Sequence, residues 1–215
     1  MGTKAKTTRV QALEALPTDR VEEACGLALK LFLERGYDNT PMSMIAEALG
    51  LTKAGVYHHF ESKEHLLYVI HRNTIERLLV PILDRAERVT DPEARLRTFV
   101  LEYATLLAHD KSARLLISEA RRLSPEHYDE IRRVWRRGFD VVRTAILELQ
   151  RQGRCKPSLN PTFAAFGAIG MCSWIFYWFD YSRPDSAAEV AATMADVFMS
   201  GVLAKVNGSR RRVRQ

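Results

Sequence analysis

Residues 40–66 read Thr40-Pro-Met-Ser-Met-Ile-Ala-Glu-Ala-Leu-Gly50-Leu-Thr-Lys-Ala-Gly-Val-Tyr-His-His-Phe60-Glu-Ser-Lys-Glu-His-Leu66. Thr40-Pro41 is a helix start: a side-chain oxygen can accept an orphan N–H, and the proline after it has none to lose. The helix expected over 41–49 turns Met44, Ile45, Ala48 and Leu49 inward, and Gly50 closes it. Thr52 opens a second short helix over 52–58, and Ser62 opens the next, which carries Leu66, Leu67 and Ile70. Two short helices joined by a glycine turn and braced by a longer helix in front have the layout of a helix-turn-helix unit, although any αα-corner shares this spacing. In such a unit the second short helix enters the DNA major groove, so its exposed face must carry donors and small side chains.

Working outward, Val21, Ala24, Cys25, Ala28, Leu31 and Phe32 form one apolar stripe, which predicts a helix over 19–35 ended by Gly36. Asp91-Pro92, Ser124-Pro125 and Asn160-Pro161 are further helix starts, and Ser186-Ala-Ala-Glu189 reads as a capping box. Helices are expected over 63–88, 92–108, 111–122, 125–152, 161–180 and 185–206, with a kink at Pro81. Strand-like alternation of useful length is missing between these starts, so the fold class is all-α: a helix-turn-helix domain followed by a helical bundle. On the 125–152 helix, Ile131, Val134, Trp135, Phe139, Val142, Ile146 and Leu149 form an apolar stripe, and Arg132, Arg133, Arg136, Arg137 and Arg143 lie off it.

The composition is that of a globular chain: 47% hydrophobic and 27% charged residues over 215 positions, with a net charge of +6. The positive balance favours a polyanion partner without locating it. Residues 1–68 hold eight Lys/Arg and nine Asp/Glu, so the helix-turn-helix segment itself is about neutral. The basic excess lies in 120–156, in the arm with Lys4, Lys6 and Arg9, and in the tail Ser209-Arg-Arg-Arg-Val-Arg214. Cys25, Cys155 and Cys172 are odd in number and far apart, which points to a reduced cytoplasmic setting and not to a disulfide framework. His58, His59 and His65 lack an i, i+4 ligand pair, so no metal is expected. The N-terminus has no apolar core of the secretory kind. The uncharged run 162–179 is short for a membrane span and diluted by Gly167 and Gly170, so a buried helix is expected there. Hydrolase, zinc-protease and nucleotide-binding motifs are absent, and neither an enzyme nor a cofactor is expected.

The run Gly50–Leu66, with Leu31-Phe-Leu-Glu-Arg-Gly-Tyr-Asp-Asn-Thr40 before it, resembles the TetR family signature across about 45 residues. In that pattern Gly, an aliphatic residue and Ser/Thr are followed by three variable residues, an aliphatic residue, Tyr, any residue, His/Tyr, Phe, two more, and Lys. The resemblance implies a transcriptional regulator whose DNA-binding residues are Thr40, Thr52, Lys53, Ala54, Gly55, Tyr57, His58, His59 and Lys63. Lys53, Ala54 and Gly55 would lie over base edges; Gly55 departs from the commoner Thr or Ser and offers no side-chain contact. Tyr57, His59 and Lys63 would take phosphates, and Thr40 and Thr52 would donate to phosphate as well as cap.

The resemblance also divides the chain into a basic arm (1–18), the DNA-binding domain (19–68), a ligand-binding and dimerisation domain (69–207) and a basic tail (208–215). The helices 161–180 and 185–206, rich in Ala and Gly, would form a homodimer that presents two reading helices to a palindromic operator. An effector pocket would draw on Tyr103, Leu107, Leu116, Trp135, Phe139, Phe166, Trp174 and Tyr177, with Arg121 or Arg122 at its mouth. The segment Gly170–Asp180 is similar to that of family members governing lipid and aromatic-acid catabolism, which implies a small hydrophobic or acyl-CoA effector. The expected function is a ligand-released repressor. The alternatives are an activator of the same family, a membrane-associated module or an all-α enzyme.

Overall fold

The computed structural model describes residues 18–183 and 186–204. The expected basic tail and nearly all of the basic arm lie outside the described residues, as does the side chain of Leu116. Among the described residues all regular structure is helical, apart from one isolated antiparallel bridge between Cys155 and Leu203. The all-α expectation holds. Among the same residues, no helix is long and apolar enough to cross a membrane.

The helices are α1 (Thr18–Arg35), α2 (Met42–Ala48), α3 (Lys53–His59), α4 (Lys63–Thr74), α5 (Val80–Arg88), α6 (Pro92–His109), α7 (Ser112–Ser118), α8 (Pro125–Arg151), α9 (Pro161–Ser173), α10 (Ile175–Trp178) and α11 (Ala187–Val202). Several begin where the sequence places a cap. Thr52 accepts from Gly55 N, Ser62 from His65 N, Asp91 from Ala94 N, and Asn160 from both Thr162 N and Phe163 N. Each bond satisfies an N–H that the helix cannot pair internally. Gly36 and Gly50 have φ of +83° and +64°, the left-handed region that a side chain resists.

Two capping expectations are corrected. Thr40 does not cap α2: its hydroxyl is buried and donates to Gly36 O at 2.9 Å, and the extended Pro41 starts the helix with no side-chain cap. Ser186 forms no capping box, because its hydroxyl donates backwards to Arg183 O at 2.8 Å. Three long helices are also interrupted. A π-helical turn at Ile75–Leu79 separates α4 from α5 just ahead of Pro81, whose missing N–H leaves the carbonyl four residues back without a helical donor. A short 3-10 turn at Ala120–Arg122 follows α7, and Trp174 divides α9 from α10.

The chain forms two compact units, one of residues up to Arg77 with Lys111–Arg133, the other of Leu78–Asp110 with the chain from Val134 onward. The first unit therefore takes in more than the 19–68 segment. Its core gathers Phe32 from α1, Ile45 from α2, Val56 from α3, Phe60, and Leu66 and Ile70 from α4, all nearly inaccessible to water. Each such burial contributes about 1.5–3 kcal/mol. In the second unit α6 packs along α5, α9 and α11. Ala187, Ala191 and Ala195, spaced by four on α11, are fully buried, and their small size lets that helix lie close. A methyl group at Gly138 of α8 would meet Leu83 at 3.4 Å and Phe99 at 3.5 Å, so α8 also passes close to its neighbours.

Candidate nucleic-acid interface

Helix α2 ends in a tight turn. Leu51 N donates to Ala46 O at 2.9 Å and Gly50 N to Glu47 O at 3.0 Å, the paired bonds of a Schellman motif. Thr52 then starts α3, its side chain accepting from Gly55 N at 3.1 Å. Val56 and Phe60 are buried and anchor α3 to the unit. Period 3.6 then forces Lys53, Ala54, Tyr57 and His58 to the outside, where all four are exposed. Lys53 Nζ lies 6.0 Å from the Tyr57 ring centre, one helical turn on. The outer face thus offers an ammonium group, a methyl group, a phenol and an imidazole, with Val56 holding the helix from beneath. Such a face can donate to base edges and phosphates.

The remaining expected DNA contacts are placed differently. Gly55 is half-buried, and a methyl group there would meet Thr52 Oγ1 at 3.4 Å, so an alanine nearly fits. His59 is also half-buried; its Nδ1 is shielded from solvent, and its ring lines a small cavity of about 40 Å³ with Val21, Ala24, Leu49 and Val56. Thr40 is withdrawn from the surface altogether: the hydroxyl that the sequence offers to phosphate is spent on backbone carbonyls inside the unit. Lys63, in the first turn of α4, is half-buried, donates to Tyr37 O and lies 4.1 Å from the Tyr37 ring centre. Burial pushes its pKa down, and the neighbouring Asp38 pulls it back up. Tyr37, one residue past the Gly36 stop, thus holds Lys63 through both its carbonyl and its ring. The sequence reading gives it no role; an aromatic directly after a helix-ending glycine is the one local signal available.

Segment 119–130 lies in the same unit and packs onto α4 and the turn before α2. Glu64 accepts from Ser124 N and engages His127 Nδ1, both at 2.8 Å. The His127 and Tyr68 rings stack at 3.9 Å, and the Tyr68 hydroxyl donates to Glu130 at 2.7 Å. Burial, followed by the Glu130 hydrogen bond, pushes the Tyr68 phenol up to about 12. Arg122 holds Asp38 on both carboxylate oxygens, at 2.8 and 2.6 Å.

The family model described as "Tetracyclin repressor-like, C-terminal domain" matches residues 89–202, and that described as "Bacterial regulatory proteins, tetR family" matches residues 25–69. The chain belongs to the TetR family. It is a DNA-binding transcriptional regulator and not an enzyme, with α2 and α3 as its helix-turn-helix. Among its relatives, the HTH-type transcriptional repressor KstR2 of Mycolicibacterium smegmatis is 24% identical over 197 residues, covering 86% of this chain and 92% of that one. The crystal structure of PfmR from Thermus thermophilus is 30% identical, with a TM-score of 0.74, over 82% of this chain and 97% of that one. AibR in complex with isovaleryl coenzyme A and operator DNA is 29% identical, with a TM-score of 0.74, over 83% and 97%.

The residues expected to hold an effector are divided between the two units. Arg121, Arg122 and Leu116 belong to the first unit, and Tyr103, Leu107, Trp135, Phe139, Phe166, Trp174 and Tyr177 to the second. Arg122 is already engaged by Asp38 and Glu119. Leu107 is buried, and the Tyr103 hydroxyl lies 3.1 Å from Ser173 Oγ. The Phe139 and Phe166 rings are 4.8 Å apart. Phe166, Trp174 and Tyr177 are not enclosed: about three-fifths of each is exposed, as is Val197, and Phe163 reaches 72%. Their apolar character, which the sequence reading spends on a pocket, is presented outward. Among the described residues no cluster of His, Cys, Asp or Glu has the makings of a metal site.

Proposed function

We propose that this protein is a homodimeric repressor that reads a palindromic operator with α3 and is released by a small acyl-CoA-type effector. The observation that carries the DNA half is the division of α3, with Val56 buried and Lys53, Ala54, Tyr57 and His58 exposed. Lys53 and Ala54 read base edges, Tyr57 and His58 take phosphates, and Lys63 takes a phosphate once it leaves Tyr37. Thr52 holds the start of the helix. Gly55 admits close approach of the backbone, and His59 supports the helix from within.

Pairing through α9 to α11 is supported by the outward face of Phe163, Phe166, Trp174, Tyr177 and Val197. Large apolar side chains left facing water on neighbouring helices favour an interaction surface. A methyl group at Gly167 or Gly170 on the same helix would meet nothing within 4 Å, so a partner helix has room to come close. A two-fold dimer sets two copies of α3 about one helical turn of DNA apart.

The effector reading rests on AibR, which binds isovaleryl coenzyme A, and places the acyl group among Tyr103, Leu107, Trp135 and Phe139 of the second unit. Repression rather than activation follows the KstR2 relatives. Footprinting of the purified protein on its own genome tests the whole reading, followed by titration of the bound complex with acyl-CoA thioesters of increasing chain length. A palindromic footprint released by one thioester and not by free coenzyme A is expected. A footprint that no thioester disturbs overturns the effector class, because a ligand shifts an equilibrium only by binding its states unequally. The absence of any protected sequence overturns the DNA half.

A further inference from the structure

Lys63 carries the charge that the proposed function assigns to a DNA phosphate, yet here its ammonium group is stowed on Tyr37. The Arg122 guanidinium carbon lies 5.1 Å from the centre of the same ring. Two cations against one phenol ring need counter-charge, and two carboxylates supply it. Asp38, the residue after Tyr37, is held on both oxygens by Arg122, and Glu119 meets Arg122 Nε. The charges of Asp38, Arg122 and Glu119 all reach Lys63. The four charged groups form one cluster. Lys63 and Asp38 lie within the stretch matched as the tetR-family DNA-binding segment, and Arg122 and Glu119 lie outside it.

We infer that Arg122 is a positioning residue for DNA binding: by holding Asp38 on both oxygens it keeps that carboxylate off the Lys63 ammonium, leaving Lys63 free to move to a phosphate. The inference rests on the reading of Lys63 as a phosphate anchor. Arg suits this task because its planar fork matches both carboxylate oxygens at once, whereas Lys offers a point charge. With Arg122 gone, Asp38 stays in the turn that carries Tyr37, and its charge already acts on Lys63. A phosphate must then displace an internal carboxylate before Lys63 can bind it. The side chains of Arg122 and Asp38 are 42% and 68% exposed, so replacing them leaves the core of the unit intact.

Phosphate contacts are blind to sequence, so the full-length protein can be tested on a random-sequence duplex of about 30 base pairs across a salt series. Arg122→Ala is expected to weaken binding about fivefold, the size of effect an exposed ion pair can exert, and to lower the salt slope by about one. Arg122→Ala with Asp38→Asn, which removes the competing carboxylate, is expected to restore affinity to within about twofold of the parent protein. Lys63→Ala is expected to weaken binding alone, and adding Arg122→Ala to it changes little. If the Asp38→Asn substitution fails to restore binding, Arg122 acts on DNA directly or on the fold, and the inference is overturned. An unchanged affinity for Arg122→Ala beside a weakened Lys63→Ala overturns it as well, leaving the phosphate anchor intact. An unchanged Lys63→Ala removes the anchor itself and the inference with it.

Discussion

The carboxylate of Glu64 accepts a hydrogen bond at 2.8 Å from the backbone N–H of Ser124, sixty residues further along the chain. One side chain in the first turn of α4 therefore also satisfies an N–H at the start of α8, and the same oxygen holds His127. The arrangement ties segment 119–130 to the helix that follows the DNA-reading element.

Glu64→Ala leaves Ser124 N and His127 without their acceptor and should lower stability by about 1–2 kcal/mol. Glu64→Gln keeps an oxygen for Ser124 and should lose less. Chemical denaturation of the two variants in parallel distinguishes them; equal losses would show that the carboxylate's charge, and not its hydrogen bond to Ser124, is what matters.

Acid should weaken the first unit through His65. Burial, as the largest influence, holds this imidazole below its ordinary value of 6.5, with Glu61 and Glu64 pulling up and His127 and Arg72 pulling down. Its Nδ1 also accepts from Glu61 N at 3.3 Å, which requires that nitrogen to be unprotonated. A histidine with a depressed folded pKa contributes stability that is fully present above the unfolded value and lost as pH falls through the folded one. The melting temperature should therefore decline from about pH 6.5 downward, and His65→Gln should flatten that part of the profile. An identical decline in the variant would assign it to other groups.

Gly55→Ala should move stability and DNA affinity in opposite directions. Alanine gains up to about 1 kcal/mol over glycine inside a helix, and its methyl group asks Thr52 Oγ1 to yield only slightly at 3.4 Å. If the bare backbone at Gly55 approaches DNA, the same methyl group weakens operator binding. A higher melting temperature with undiminished affinity would remove that role.

Trp174→Glu and Phe163→Asp should each convert the proposed dimer to single chains, because buried aromatic anchors at an interface are worth about 2 kcal/mol or more. Light scattering gives the mass. A dimer that survives both substitutions would place the pairing surface elsewhere.

Lys53→Ala should change which operator sequence is preferred, by about 1–3 kcal/mol at one base pair, whereas Tyr57→Phe should weaken binding to every sequence alike. Selection of binding sites from a random pool separates the two effects. A Lys53→Ala protein with unchanged preference would mean that this ammonium group meets phosphate rather than a base edge.

Helix starts were legible because a cap is a local bond. Asp91 to Ala94, Asn160 to Phe163, Ser62 to His65 and Thr52 to Gly55 each span three residues, so the sequence holds both partners in view. Thr40 shows the limit of that reading. Its neighbours suit a cap, but burial of the hydroxyl against Gly36 O and Leu31 O outweighs it. The candidate site divides in the same way. The outward set of Lys53, Ala54, Tyr57 and His58 follows from helical period once Val56 and Phe60 are taken as core. The stowed Lys63 does not follow, because its partner Tyr37 lies 26 residues away.

From its amino-acid order alone this chain determined an all-helical fold, a glycine turn between two short helices, and the polar and apolar faces of the second one. All of these rest on contacts within a turn or two of helix. Tertiary structure alone decided that Arg122 would reach Asp38, eighty-four positions earlier, and that Glu64 would meet both Ser124 and His127. It also decided that Phe166, Trp174 and Tyr177 would face outward. The physical reason is that an apolar or charged side chain specifies that it needs a partner and of what kind, while the identity of that partner depends on which surfaces the rest of the fold brings within reach.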